Sequence, residues 1–137
     1  MPEQAVALAR RFFEEVWNNG SDAAMDELVT ADVVAHGLGE PGIDVQGLDS
    51  GFRPFYRAFR GAFPDIRFSV EDAVSNGRIT AVRWTARMTH LGDHLGTPAT
   101  NKQLCITGMT FLRIEAGKIA EGWNNWDRAQ LTAAIAQ

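Results

Sequence analysis

Two side chains in this sequence have the type and the setting for proton transfer, Asp127 and His90. From Lys118 to Asp127 the odd positions read Ile119, Glu121, Trp123, Asn125 and Asp127, so an unbroken two-residue alternation puts a carboxylate on the face that carries Ile119 and Trp123. A carboxyl group desolvated among apolar neighbours holds its proton to higher pH, and can take and return one near neutrality. Asp127 also immediately precedes Arg128, at the start of a short helical stretch where Asp is a preferred cap, and position alone does not separate base from cap. From Arg78 to His90 the even positions read Val82, Trp84, Ala86, Met88 and His90, an apolar face ending in an imidazole. His90 is therefore expected to look into the interior, either as a participant in chemistry or as a hydrogen-bonded structural residue. His36 is a further imidazole candidate, and Trp17, Trp84, Trp123 and Trp126 are candidates for an aromatic ligand wall or for plain core.

Other chemistries find no support. His90 and His94 are four apart, a spacing that would pair them on a helix, but Leu91-Gly92-Asp93 between them reads as loop and no third ligand stands nearby, so no metal is expected. There is no glycine-rich dinucleotide fingerprint, no phosphate-cradling loop and no nucleophile elbow, so no cofactor is expected either. The single cysteine, Cys105, lies in the strand-like run Leu104-Cys105-Ile106 and reads as packing filler.

The elements that must position these residues follow from periodicity. Apolar residues at Val6, Ala9, Phe13, Val16 and Trp17 predict a helix from Glu3 to Asn18, stopped by Asn18-Asn19-Gly20. Ser21 is a plausible N-cap for a short helix through Met25 and Leu28, and Asp32 to His36 reads as a short strand. Gly37 to Gly47 holds four glycines and Pro41 and is expected to be a loop long enough to act as a lid. Phe52, Phe55, Tyr56, Phe59 and Phe63 share helical spacing, with Arg53, Arg57 and Arg60 on the other faces, and Pro54 places the helix start near Ser50. After Pro64 the period changes to two: Ile66 to Val70 and Arg78 to His90 flank the turn Asn76-Gly77, and Gln103 to Glu115 and Lys118 to Asp127 flank Ala116-Gly117. Arg128 to Ala136 closes the chain as a helix. Helices followed by a meander of antiparallel strands give an α+β class, with helices packed on one face of a curved sheet and an apolar pocket between the layers.

Composition narrows the partner. The 137 residues are expected to form one domain over residues 1–137, with 45% hydrophobic residues, 13 Lys plus Arg against 17 Asp plus Glu, and a net charge of −4. A mildly acidic surface without a basic run repels phosphate, so neither nucleic acid nor an anionic membrane is an expected partner, and a small apolar or aromatic molecule is. The first fifteen residues reach charge before any apolar run long enough for an export signal, and no stretch approaches the roughly 18 apolar residues of a membrane span, so a cytoplasmic location is expected. Met109 and Phe111, beside Cys105 on one strand face, can supply an apolar patch for a homodimer.

The segments Ala62 to Asp65, Val70 to Asp72, Val82 to Thr85, Thr89 to Gly92, Gly96 to Pro98 and Gly117 to Trp123, continuing to Asp127, resemble the SnoaL-like polyketide cyclase family of the nuclear transport factor 2 superfamily. The resemblance runs from about Phe12 to Leu131. It implies a cone in which a sheet wraps helices around a deep apolar pocket, and aldol ring closure of a polyketide-like substrate without metal or cofactor. It further implies that Asp127, the acid of Trp-x-x-x-Asp, is a general acid/base, and that His90, of Thr-His-x-Gly, lines the same pocket. An aldol closure needs a base beside a carbonyl and donors for the enolate oxygen. Asp127 fits the first role, and His90 or the amide of Asn125 the second, with Trp84, Met88, Trp123 and Phe59 as the apolar wall and His36 as a further substrate contact. The superfamily also contains isomerases that divide such work between two acids, for which Asp127 and Glu121 are the candidates, epoxide hydrolases, and binding modules without chemistry. The epoxide hydrolase pattern of Arg-x-Asp is absent, since Thr85 and Thr89 stand where its carboxylate would be.

Overall fold

The computed structural model describes residues 2–39 and 42–136; Pro41, within the expected loop, lies outside them. Helix α1 (Pro2–Arg11) runs without a break into a wider turn of helix, Phe12–Asn18, and α2 (Asp22–Leu28) follows, its Ser21 side chain capping the Ala24 amide. Strands β1 (Val29–His36) and β2 (Val45–Gln46) lead to a second wide turn, Leu48–Phe52, which feeds α3 (Arg53–Ala62). The meander β3 (Arg67–Ser75), β4 (Ile79–Thr89), β5 (Gln103–Glu115) and β6 (Lys118–Trp126) precedes α4 (Arg128–Ile135). The two wide turns are π-helical, with backbone bonds that skip five residues, Asn19 N to Glu14 O at 2.9 Å and Phe52 N to Gly47 O at 2.9 Å. They deliver Phe12, Phe13, Trp17 and Phe52 to the sheet.

One six-stranded sheet, in the order β2, β1, β6, β5, β4, β3, carries the helices on its concave face. All neighbours are antiparallel except β1 and β6, which run parallel and make the sheet mixed. The concave face of β4 holds Thr80, Val82, Trp84, Ala86 and Met88, all buried, and the core joins them to Phe59, Phe63 and Ile66. The chain edge at β3 is dressed by one side chain: Asn18 takes the Phe68 N–H on Oδ1 at 2.6 Å and gives Nδ2 to the Phe68 carbonyl at 2.9 Å, so the amide pairs as a strand would. Tyr56 similarly donates to the Val16 carbonyl at 2.7 Å and ties α3 to the first wide turn.

Arg53, expected on a face away from the aromatic stripe, is not left to solvent. It is buried, and its guanidinium donates to Asp22 Oδ1 at 2.7 Å, to Asp49 Oδ1 at 3.0 Å and to Asp26, so α2, the second wide turn and α3 meet on one cation. Burial is the largest single influence and acts to lower its pKa, but the bonds to Asp26, Asp49 and Asp22 together outweigh it and raise the already high value. Replacing Arg53 by Met keeps the stem and leaves three clustered carboxylates without their donor. Urea unfolding should show a loss of roughly 1–3 kcal/mol with little change in slope, and an unchanged midpoint would refute this role.

Candidate active site

Between the helices and the sheet lies an open-mouthed cavity with a volume of about 80 Å³. Its helical wall is aromatic, made by Phe12, Phe13, Trp17, Phe52, Phe55 and Phe59. The sheet contributes Trp84, Ile106, Leu112, Ile119 and Trp126, and Leu38 adds to the wall from the glycine-rich loop. Among the described residues its polar side-chain groups are the hydroxyl of Thr110, the amide of Asn124 and the indole N–H groups of Trp17, Trp84 and Trp126. No Asp, Glu, His, Lys or Arg among the described residues lines it.

The polar groups are fixed by the sheet. Trp84 Nε1 donates to Thr110 Oγ1 at 3.0 Å, Thr110 donates to Asn124 Oδ1 at 2.9 Å, and Asn124 Nδ2 donates to the His36 carbonyl at 3.0 Å. Gly108 sits directly across from Trp84 in the β4–β5 pairing, and a methyl there would overlap the indole ring, so the missing side chain leaves the ring the room it occupies. Trp126 Nε1 donates to the Gly37 carbonyl at 3.0 Å, which holds the root of the glycine-rich loop against β6.

The predicted phase of β6 is corrected by a bulge. Arg113 pairs with Glu121 but Ile114 pairs with Ile119, leaving Ala120 as an extra residue, and Ile119 and Ala120 are both buried. Beyond it Gly122, Asn124 and Trp126 face the cavity, while Glu121, Trp123 and Asn125 face the other way. Asn125, expected as the interior amide, is exposed, and its neighbour Asn124 holds that position. Asp127, expected on the cavity face, is exposed, and its Oδ1 accepts the Gln130 N–H at 2.8 Å as the N-cap of α4. The adjacent apolar pair Ile119-Ala120 in an otherwise alternating run is the one sequence signal of this shift.

The remaining candidates divide. Trp84 and Phe59 line the cavity. Met88 is core, outside the lining. His90 points inward and is fully buried, but away from the cavity: its ring packs on Phe63 with centroids 5.5 Å apart, and its Nδ1 lies 3.0 Å from Thr100 Oγ1 and accepts the Thr100 N–H at 3.3 Å. Its backbone bonds Lys102 and Asn101, so His90 fastens the segment between β4 and β5. Phe55, Thr110 and Asn124 were not singled out by sequence. Cys105 is exposed on the convex face, in register with Arg87, and is not filler.

His36 and Trp123 are on the convex face, their rings stacked with centroids 5.5 Å apart. His36 Nε2 is 2.6 Å from Glu121 and Nδ1 is 2.9 Å from Asp44, and Arg113 Nε donates to Glu121 at 3.2 Å. Glu121, weighed above as a second acid, is thus committed to this cluster outside the cavity.

The family model described as SnoaL-like polyketide cyclase matches residues 7–135. The chain belongs to that family. No curated protein matches it in sequence. Among solved structures, a proposed SnoaL-like polyketide cyclase from Jannaschia sp. CCS1 superposes with a TM-score of 0.85 at 21% identity, covering 98% of this chain and 93% of that one. A proposed polyketide cyclase from Acidithiobacillus ferrooxidans gives 0.84 at 26% identity, covering 98% and 95%. IdmH, a proposed polyketide cyclase from Streptomyces antibioticus, gives 0.79 at 26% identity, covering 96% and 97%. The α+β architecture is therefore that of the nuclear transport factor 2-like SnoaL family, and no helix among the described residues is long and apolar enough to cross a membrane.

The convex cluster of this SnoaL-like chain has a pH signature. The bonds to Glu121 and then Asp44 raise the His36 pKa above its ordinary 6.5, and the bond from His36 lowers that of Glu121 below its ordinary 4.5. The stabilisation from His36 is complete below pH 6.5 and fades as pH rises through the raised value. That from Glu121 is complete above pH 4.5 and fades as pH falls through the lowered one. The stability difference between wild type and His36→Gln should therefore be largest between those pH values, on the order of 1 kcal/mol. Urea unfolding at pH 5.5 and 8.5 checks it, and a difference that grows toward the alkaline side would contradict the assignment.

Proposed function

We propose that this protein is a small-molecule cyclase that takes a neutral, apolar, carbonyl-bearing substrate of polyketide type and closes a ring in it by aldol chemistry. The observation that carries the reading is the cavity: a wall of aromatic side chains with a single polar corner at Thr110 and Asn124. Such a wall folds a flexible, flat substrate onto itself and excludes water, which favours a bond between two carbons of one molecule. Membership in a polyketide cyclase family supports the reaction class.

The proton acceptor in this reading is Asp127, the acid that the family pattern places one residue after the cavity-lining Trp126. To act, its carboxylate leaves the Gln130 amide and turns toward the mouth, takes a proton from the carbon beside one carbonyl, and returns it to the alkoxide formed when that carbon attacks a second carbonyl. Base and cap are separable by substitution, because Asn and Ser cap as well as Asp but cannot accept this proton. With an aryl-substituted 1,5-diketone, whose closure to the β-hydroxy ketone is followed by the fall in diketone, with the cyclohexenone absorbance read after acid-promoted loss of water, Asp127→Asn and Asp127→Ser should lose about 10²- to 10⁴-fold in rate. Their unfolding midpoints should stay near wild type, whereas Asp127→Ala should lose about 1 kcal/mol. Full activity in Asp127→Asn would remove Asp127 from the mechanism.

A second reading, binding without turnover, is favoured by one fact: the described lining contains no titratable side chain. Tight binding of the diketone with no closure above the solution rate would establish it.

We further propose that two copies pair through the convex face. Phe111 and Trp123 are directly opposed across β5 and β6, Met109 lies two residues along on the same face, and all three are exposed, by 51%, 39% and 58%. Large apolar side chains grouped in this way are rarely left to water. Sedimentation velocity at micromolar concentration should give a dimer for wild type and a monomer for Phe111→Glu, and a monomeric wild type would refute the pairing.

A further inference from the structure

The hydrogen-bond chain in the cavity has only one possible direction. An indole N–H can only donate, so Thr110 receives from Trp84 and has its own hydrogen to give, which goes to Asn124 Oδ1. Turning the amide over would set Oδ1 against the His36 carbonyl, acceptor facing acceptor, so Nδ2 must occupy that side. An amide nitrogen carries two hydrogens, and the protein bond uses one. Of the lining indoles on the sheet, Trp126 has already given its hydrogen to Gly37 and Trp84 its own to Thr110, whereas the N–H of Trp17 belongs to the helical wall and not to this chain of bonds.

Resting on the reading of the cavity as a small-molecule site, we infer that the second Nδ2 hydrogen of Asn124 is the anchor for a carbonyl oxygen of the ligand. Thr110 and Trp84 are positioning residues that fix the polarity of the amide. The cavity thereby selects ketones and quinones over hydrocarbons of the same shape. A ligand that brings only a donor to this corner meets lone pairs on Thr110 and Asn124 that are already partly used. In a ring closure, an oxygen held here is also the one on which enolate charge develops, where a preoriented amide costs no reorganisation.

The test uses 9-fluorenone and its carbonyl-free counterpart fluorene, two rigid probes that differ at one position. In the unmodified protein, the infrared carbonyl stretch of bound fluorenone should fall below its value in hydrocarbon solvent, a signal that needs no variant. In Asn124→Leu the shift should vanish, and the preference for fluorenone over fluorene, read by tryptophan quenching, should drop by about 3- to 10-fold while fluorene still binds. Thr110→Val should lose part of that preference. An unshifted carbonyl in wild type, with both probes bound, would overturn the anchor and leave the cavity reading standing. A shift retained in Asn124→Leu would overturn the assignment to Asn124. Failure of both probes to bind would overturn the cavity reading and this inference together.

Discussion

Strands β4 and β5 pair from Ile79 opposite Arg113 to Thr89 opposite Gln103 without a single irregularity. An antiparallel ladder of that length has no freedom to slip, because a shift of one residue would turn every buried side chain of β4 to the solvent. The ribbon is the datum from which the rest of the molecule is measured. It sets Gly108 against Trp84 and puts Thr110 within reach of the indole. The helices then settle on it through the aromatic side chains of the wide turns and α3. Trp17 meets Tyr56, Phe68, Phe59 and Phe52 with centroids 5.1 to 6.1 Å apart, three of them edge to face and Phe68 tilted.

The molecule separates charge from the ligand space with some consistency. On the convex side His36, Glu121, Asp44 and Arg113 neutralise one another in water. Arg53 gathers three carboxylates at the junction of α2 and α3. The described lining of the cavity keeps only neutral polar groups, and those of Trp84, Thr110, Asn124 and Trp126 are already bonded within the protein. A neutral cavity does not have to desolvate an ion before it accepts an apolar ligand, and its few hydrogen bonds are stronger for being out of water.

Much of this was legible in the residues. Asn76-Gly77 and Ala116-Gly117 mark the turns, Ser21 caps α2, and the even positions of β4 are the buried ones, because each of these depends on local backbone preference or on strict alternation. The family resemblance and the α+β class rest on the same strands. What was not legible depends on insertions of a single residue. The π turns at Phe12–Asn18 and Leu48–Phe52 are made of residues that would suit an ordinary helix, so periodicity reads straight through them. Ala120 does the same to β6: a bulge of one alanine leaves the composition of the strand intact and exchanges its two faces. Trp123, Asn125 and Asp127 thereby left the interior, and Asn124 entered it. The parallel pairing of β1 with β6, which returns His36 to the side of Trp123, is a long-range contact that no local pattern announces.

His36 joins the two sides of the sheet. Its ring belongs to the ionic cluster on the convex face, while its carbonyl, on the peptide that leads into the glycine-rich loop, takes the amide of Asn124 from the cavity. One residue therefore belongs to two equilibria, a proton outside and a hydrogen bond within. Free energies of binding are reciprocal, so a ligand at Asn124 can shift the proton affinity of this ring only by the factor by which that proton shifts the affinity for the ligand.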